Sequence, residues 1–326
     1  MKKQFTRRQA LQATALLGSA LFLPVDKLQA VTMPGSKTPG LSHEEIAAIE
    51  TALGKKGSYK DAESVHTTPL PRNDLKITVK GNPTPIPFGF GGWVSFKKSV
   101  DGKSAMVMGD TVLLMEEVNP LISAAQANGL EIGAIHNHFF YEEPRIIYMH
   151  IHGMGSVADL AKRYAAAIRD TKLFPANQPA PSTPATTGKD NFDIPALDAI
   201  VKYTGTVNGP TYKYTIGRSD LKVMVMGVEM TTNIGLNSWA AFAGKQDDAQ
   251  IAGDIAMLPH EVNHVIKALR ANNLEVVSVH NHMLTDEPHI IFLHYYGRGP
   301  AETLARGFRA ALDELGKKSM SGEMKM

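Results

Sequence analysis

His136-Asn137-His138-Phe139-Phe140-Tyr141-Glu142-Glu143-Pro144 returns, 144 residues further on, as His280-Asn281-His282-Met283-Leu284-Thr285-Asp286-Glu287-Pro288. Around this block the correspondence runs on without gaps. His150 matches His294, and Gly153 and Gly155 match Gly297 and Gly299. Upstream, Gly109-Asp110 matches Gly253-Asp254, Glu117-Val118-Asn119 matches Glu261-Val262-Asn263, and Leu130-Glu131 matches Leu274-Glu275. Further upstream the offset becomes 146, pairing Asp74-Leu75-Lys76 with Asp220-Leu221-Lys222, Trp93 with Trp239 and Phe96 with Phe242. Self-similarity at a fixed period marks an internal duplication.

Each copy reads as β-β-β-α-β-β-α. Alternation predicts strands at 75–79 and 221–226, at 105–108, and at 130–138 and 145–152 on either side of the Glu-Pro turn. Val118, Leu121, Ile122 and Ala125 form a helical stripe over 117–128 closed by Gly129, and Val262, Val265, Ile266 and Leu269 repeat it. A second helix is expected over 157–169 and 301–315. Two helices over one sheet predict an α+β protein. The expected form is a tandem duplication of a two-layer α/β sandwich with ferredoxin-like units, the two copies packed together. The repeats are placed at residues 41–172 and 193–316. Between them residues 173–192, rich in Pro, Ala and Thr, read as a solvated linker, and 317–326 as a disordered tail.

The first 30 residues read as an address rather than as structure. Lys2, Lys3, Arg7 and Arg8 precede the apolar run Ala10–Leu23, and Ala30 offers a cleavage point. Arg7-Arg8 ahead of a mild apolar run predicts a twin-arginine signal, with that export machinery as the partner in transit and the periplasm as destination. The signal holds five basic residues and one acid, so its removal turns a net charge of +2 into −2 and argues against a nucleic-acid partner. No later apolar run is long enough to span a membrane. The chain has no cysteine, which excludes disulfides, thiolate ligands and a thiol nucleophile.

Eight of the 12 histidines fall in the two Glu-Pro hairpins. Alternate strand residues share a face, so His136 with His138, and His280 with His282, can chelate one ion. One hairpin cannot gather all its histidines. A site would use the HxH pair with Glu143 (or Glu287), or His136 with His150 (or His280 with His294), the facing copy supplying the rest. Glu143 and Glu287 are the candidate general bases if metal-bound water is activated. Imidazole with carboxylate favours zinc, with copper or manganese behind it. Hydrogen-bonded sheet histidines without metal are the plain alternative.

Other patterns carry less. His260-Glu261-Val262-Asn263-His264 fits the zinc-protease pattern HExxH, but the first copy keeps only the Glu, and Pro259 puts His260 in a first helical turn. Gly153–Gly155 and Gly297–Gly299 read as helix-entry turns, Trp93 and Trp239 as core, and Met320, Met324 and Met326 as a thin case for copper.

The ordered blocks PRNDL/GRSDL, Trp-x-x-Phe, Gly-Asp, Glu-Val-Asn and HNH-x4-EP, over nearly all of 45–315, resemble the LppY/LpqO family of bacterial envelope proteins. The resemblance implies an envelope location and a duplicated domain of unknown function, with no activity to carry over. Lipoprotein members have an acylatable cysteine that this chain lacks. Three readings follow: a periplasmic metal-binding protein, with metal-assisted hydrolysis as its chemistry if it is an enzyme; a non-catalytic envelope protein holding a sugar, a peptide or another small molecule in the cleft between the copies; or a structural module.

Overall fold

A computed structural model describes residues 38–181 and 184–317. The expected signal at 1–30 and the tail methionines lie outside the described residues. Helix α1 (His43–Leu53) is started by a capping box between Ser42 and Glu45 and stopped by Gly54 at φ 65°. Strands β1 (Ser58–Lys60), β2 (Val65–Pro71), β3 (Ile77–Val79), β4 (Asn82–Thr84), β5 (Gly91–Lys98) and β6 (Ala105–Leu114) follow. Helix α2 (Met115–Ala127), strands β7 (Glu131–His136), β8 (Glu142–Glu143) and β9 (Ile146–Gly155), and helix α3 (Val157–Ile168) complete the first repeat. Helices α4 (Gly188–Asn191) and α5 (Ile194–Val201) lead into the second repeat: β10 (Thr206–Asn208), β11 (Thr211–Gly217), β12 (Val223–Val225), β13 (Val228–Met230), β14 (Asn237–Lys245) and β15 (Asp248–Met257). Helix α6 (Val262–Ala271), β16 (Glu275–His280), β17 (Asp286–Glu287), β18 (Ile291–Gly299) and α7 (Ala301–Leu312) end it.

Each repeat is a mixed α/β unit built on a six-stranded sheet, ordered β1-β2-β5-β6-β9-β7 and β10-β11-β14-β15-β18-β16. Every neighbouring pair is antiparallel, and β9 lies between β6 and β7, which α2 joins as a split β-α-β. Two three-stranded sheets, β4-β3-β8 and β13-β12-β17, stand apart. The architecture is therefore richer than the expected ferredoxin-like unit. The extra strands escaped the pattern because the buried face of β2 carries the polar His66 and Thr68 and its other face two prolines, while β3 and β4 are three residues each, too short for alternation to register. Residues 173–192 are also less free than expected. Leu173 and Phe192 are buried at their ends, and Gln178 Nε2 donates to Asp74 Oδ1 at 3.1 Å.

One face of each large sheet packs on its own helices. Val107 and Leu113 of β6 meet Leu121, Ala125, Leu160 and Tyr164, and the second repeat copies this core. The other face packs on the other repeat. Met106 and Met108 of the first large sheet contact Val223, Val225 and Met230 of the second small sheet, while Ile77 and Val79 of the first small sheet contact Ala241, Ala252 and Tyr296 of the second large sheet. Each repeat thus lays its small sheet on its partner's large one.

The retained RND/RSD and Glu-Val-Asn blocks meet as buried ion pairs. Arg72 Nη1 donates to Glu117 at 2.6 Å and its Nε to Asp74 at 2.9 Å; Arg218 Nη1 donates to Glu261 at 2.7 Å and its Nε to Asp220 at 2.9 Å. Glu117 and Glu261 also accept from the Leu114 and Leu258 amides, both at 2.7 Å, which fixes the starts of the helices.

Candidate metal centre

Strand alternation sets the site. In β9, Met149 and Ile151 join the helix-side core while Tyr148, His150 and His152 face the other repeat. His136 lies opposite Tyr148 at the end of β7, and His138 follows in the turn, where Asn137 Nδ2 donates to the Phe139 carbonyl at 2.8 Å. A bulge between Ile132 and Ala134, repeated between Val276 and Ser278, displaces this edge. The two HNH segments then tie the repeats together. Ser278 Oγ donates to the Asn137 carbonyl at 3.0 Å, and Asn281 Nδ2 to the Gly133 carbonyl at 2.8 Å. Gly133 allows that approach, because a Cβ there would lie 2.5 Å from the His282 carbonyl oxygen.

The result is one cluster of six histidines with pseudo-twofold symmetry. His136 stacks on His280 with ring centroids 3.8 Å apart. His138 meets His294 at 3.7 Å, and His150 meets His282 at 4.0 Å. Asp110 is the cross-strand neighbour of His150, and Asp254 that of His294. Three sets hold their ligand atoms within 4.8 Å of one another: His136, His150 and His280; His136, His138 and His294; and Asp254, His280 and His282. Two of the three draw on both repeats. These groups can hold a metal ion.

The electrostatics fit that use. Burial holds the imidazoles of His136, His138, His150 and His282 well below their ordinary range, that of His280 at about 4 and that of His294 at about 3. All are neutral at pH 7, with lone pairs available. Burial, then Asp254 alongside, pushes the Asp110 carboxyl well above its ordinary range. Neither nitrogen of His136, His138 or His150 meets a hydrogen-bond partner, nor does Nε2 of His280 or His294, Nδ1 of His282, or one oxygen of each aspartate. An unpartnered buried polar group costs about 1–3 kcal/mol, so a cluster of them in one core calls for an occupant.

Several expected roles move. Glu143 and Glu287 are not brought to the cluster. Both are exposed on two-residue strands paired with Thr78 and Met224, and neither bonds a histidine. Their neighbours Glu142 and Asp286 point inward instead and cap the hairpins, accepting from the Ile146 and Ile290 amides at 3.2 and 2.6 Å. His289 pairs with Asp286 at 3.0 Å, outside the cluster. The HExxH stretch has exposed His260 and His264, and its Glu261 is the buried partner of Arg218. Gly153 and Gly297, read as helix-entry turns, make room for Leu130 and Leu274. Two shared apolar cores lie between the copies, where the binding-protein alternative placed a sugar or peptide cleft.

The carboxylates of the site, Asp110 and Asp254, went unassigned, although Gly-Asp recurs in both copies. Lys213 was also missed. It lies 4.4 Å over the Trp239 ring, and burial lowers its ammonium to about 8 against the pull of Asp110 and Asp254. Its counterpart is Thr67, so no repeat signal marks it.

Fold and site together define a duplicated α/β protein with a histidine-aspartate cluster sealed between its repeats. The chain belongs to the family described as Domain of Unknown Function (DUF1259), matched twice, at residues 47–170 and 195–314. No curated protein matches it. Among solved structures, the double-ringed trimeric shell protein MSM0271 from the RMM microcompartment is 11% identical, over 65% of this chain and 83% of that one, with a TM-score of 0.18. TP0453 in crystal form I is 12% identical, over 82% and 88%, with a TM-score of 0.17. Among the described residues, no helix is long and apolar enough to cross a membrane.

Proposed function

We propose that this chain is an exported, LppY/LpqO-like envelope protein that holds a divalent transition metal at the histidine cluster. Zinc comes ahead of copper or manganese. The observation that carries the reading is the set of buried, neutral, unpartnered imidazoles converging from both repeats beside two carboxylates. Nitrogen and oxygen donors without thiolate suit zinc. A metal there would supply Lewis acidity and an activated water, and hydrolysis is the reaction class to screen on the loaded protein. Asp110 and Asp254, rather than Glu143 and Glu287, are the carboxylates at hand. The periplasmic destination rests on the basic, twin-arginine start of the sequence.

Elemental analysis of the mature protein, purified without affinity tag or chelator, tests the reading. Near-stoichiometric zinc is expected. Because the ligand groups span the repeats, His136→Ala/His138→Ala and His280→Ala/His282→Ala should both lose it. Wild-type protein that stays metal-free after reconstitution would overturn the proposal, and full loading of either variant would overturn the shared site.

A further inference from the structure

The pseudo-twofold holds at the centre and fails on the flanks. On one flank Tyr296 fills the space. Its hydroxyl donates to Gln250 at 3.0 Å, and its ring meets Phe139 edge-on at 6.0 Å. Lys80 pairs with Glu275 and lies 5.0 Å from the Tyr141 ring and 5.7 Å from the Tyr296 ring. On the other flank the matching residues are His152 for Tyr296, Met106 for Gln250, Met283 for Phe139, Met226 for Lys80 and Met154 for Arg298. A cavity of about 230 Å³ opens there.

We propose that this cavity binds a soft monovalent cation, Cu(I) in its chemistry, through the thioethers of Met106, Met154 and Met283 and through Nδ1 of His152. Met106 and Met154 are direct cross-strand partners, and His152 is two residues before Met154 on the same face. Directly opposed side chains such as Met106 and Met154 start about 4.5–5.5 Å apart, and diagonal ones such as Met106 and His152 about 7–8 Å, a span that long thioether side chains can bridge. Met283 packs in the same core as Met106, with Met154 against it, and the half-exposed Met226 stands at the rim. His152 Nε2 lies 2.7 Å from the His282 carbonyl, which can only accept. That bond fixes the proton on Nε2 and leaves the Nδ1 lone pair free, the arrangement typical of a metal-binding imidazole whose other nitrogen is anchored to the backbone. Three thioethers with one imidazole favour Cu(I) over zinc, with the exposed Glu131, cross-strand partner of His152, also lining the cavity. Methionine is also ordinary core filler. The opposite flank, however, packs with Gln, Arg, Lys and Phe, so the fold does not require thioethers here. This site is separate from the six-histidine cluster and does not depend on zinc being there.

The test is a Cu(I) titration of the mature, zinc-loaded protein under reductant, with bicinchoninate as competitor and Ag(I) as a second probe. Wild type should hold one Cu(I) per chain, with sulfur in its X-ray absorption shell. Met106→Leu/Met154→Leu/Met283→Leu, nearly isosteric, should weaken binding about tenfold or more with zinc content unchanged, and His152→Tyr, the residue the other flank carries, should weaken Cu(I) binding about tenfold or more. Loss of copper to the competitor in wild type overturns the proposal. So does a shell of nitrogen and oxygen alone, a reading that needs no variant to fold, and so does binding indifferent to the methionines.

Discussion

At the scale of single residues, Asp254 and Asp110 divide one chemistry unequally. Asp254 Oδ2 lies 3.3 Å from His282 Nε2 and belongs to a candidate ligand set, whereas Asp110 is held towards its neutral form. Asp254→Asn should weaken zinc binding about tenfold or more, read by competition with a chromophoric chelator. Asp110→Asn should leave the melting temperature of the metal-free protein unchanged or raised, because it replaces a carboxyl that burial already holds towards its neutral form with a neutral group of the same shape. A marked drop would assign Asp110 a structural partner. Glu261 is 1% exposed and holds Arg218. Glu261→Gln removes one of the two carboxylates that hold the buried Arg218 guanidinium, Asp220 remaining, and should cost about 1–3 kcal/mol by denaturant unfolding. The histidines were legible because two copies repeat the HxH spacing. The aspartates recur as well, in Gly-Asp, but one acid per copy on a buried strand offers no chelating spacing that would assign it, and Lys213 had no counterpart to flag it.

Elements set what those residues can reach. The two helices that follow the large-sheet strands in each repeat were legible to within a few residues, whereas α1, α4 and α5 were not read from the sequence. The inward edge of the first hairpin was legible too: His136 and His150, offered as one ligand pair, fall in one candidate set. The error over Glu143 and Glu287 came from assigning them to the hairpin alone. Strands β8 and β17 belong to the small sheets, whose pairing with β3 and β12 over long sequence separation has no local signature. The bulged strand β7 makes its own prediction. Gly133→Ala would drive a methyl into the His282 carbonyl and His152 ring. Stability should fall by about 1–3 kcal/mol or more, with zinc retention falling alongside, in melts run with and without metal. An unchanged melt would show that the two edges have room to separate.

The whole molecule carries a pH dependence. The ordinary histidine value is 6.5, and the buried imidazoles lie below it, at about 4 for His280 and His152 and about 3 for His294. Between those limits the unfolded chain binds more protons than the folded one, so stability is full above pH 6.5 and drains away as pH falls towards 4 and 3. Asp110 and Glu142, raised by burial, work in the opposite direction but are two groups against eight histidines, His66 included. Metal-free protein should melt markedly lower at pH 5 than at pH 7, and zinc should narrow the gap at pH values where it stays bound. A melting temperature indifferent to pH over that range would mean that the histidines remain hydrated.

The exchange of small sheets has a further consequence. A solitary repeat would expose the face its twin normally covers, and it would lack half of a ligand set. Residues 38–172 made alone should therefore sediment as a homodimer about a true dyad, or fail to fold. Joining two such halves into one polypeptide lifts the constraint that every substitution be made twice. One flank was then free to become a plug of Tyr296, Lys80 and Phe139 while its twin stayed open: a fused pair can differentiate its two doors, and a dimer of identical chains cannot.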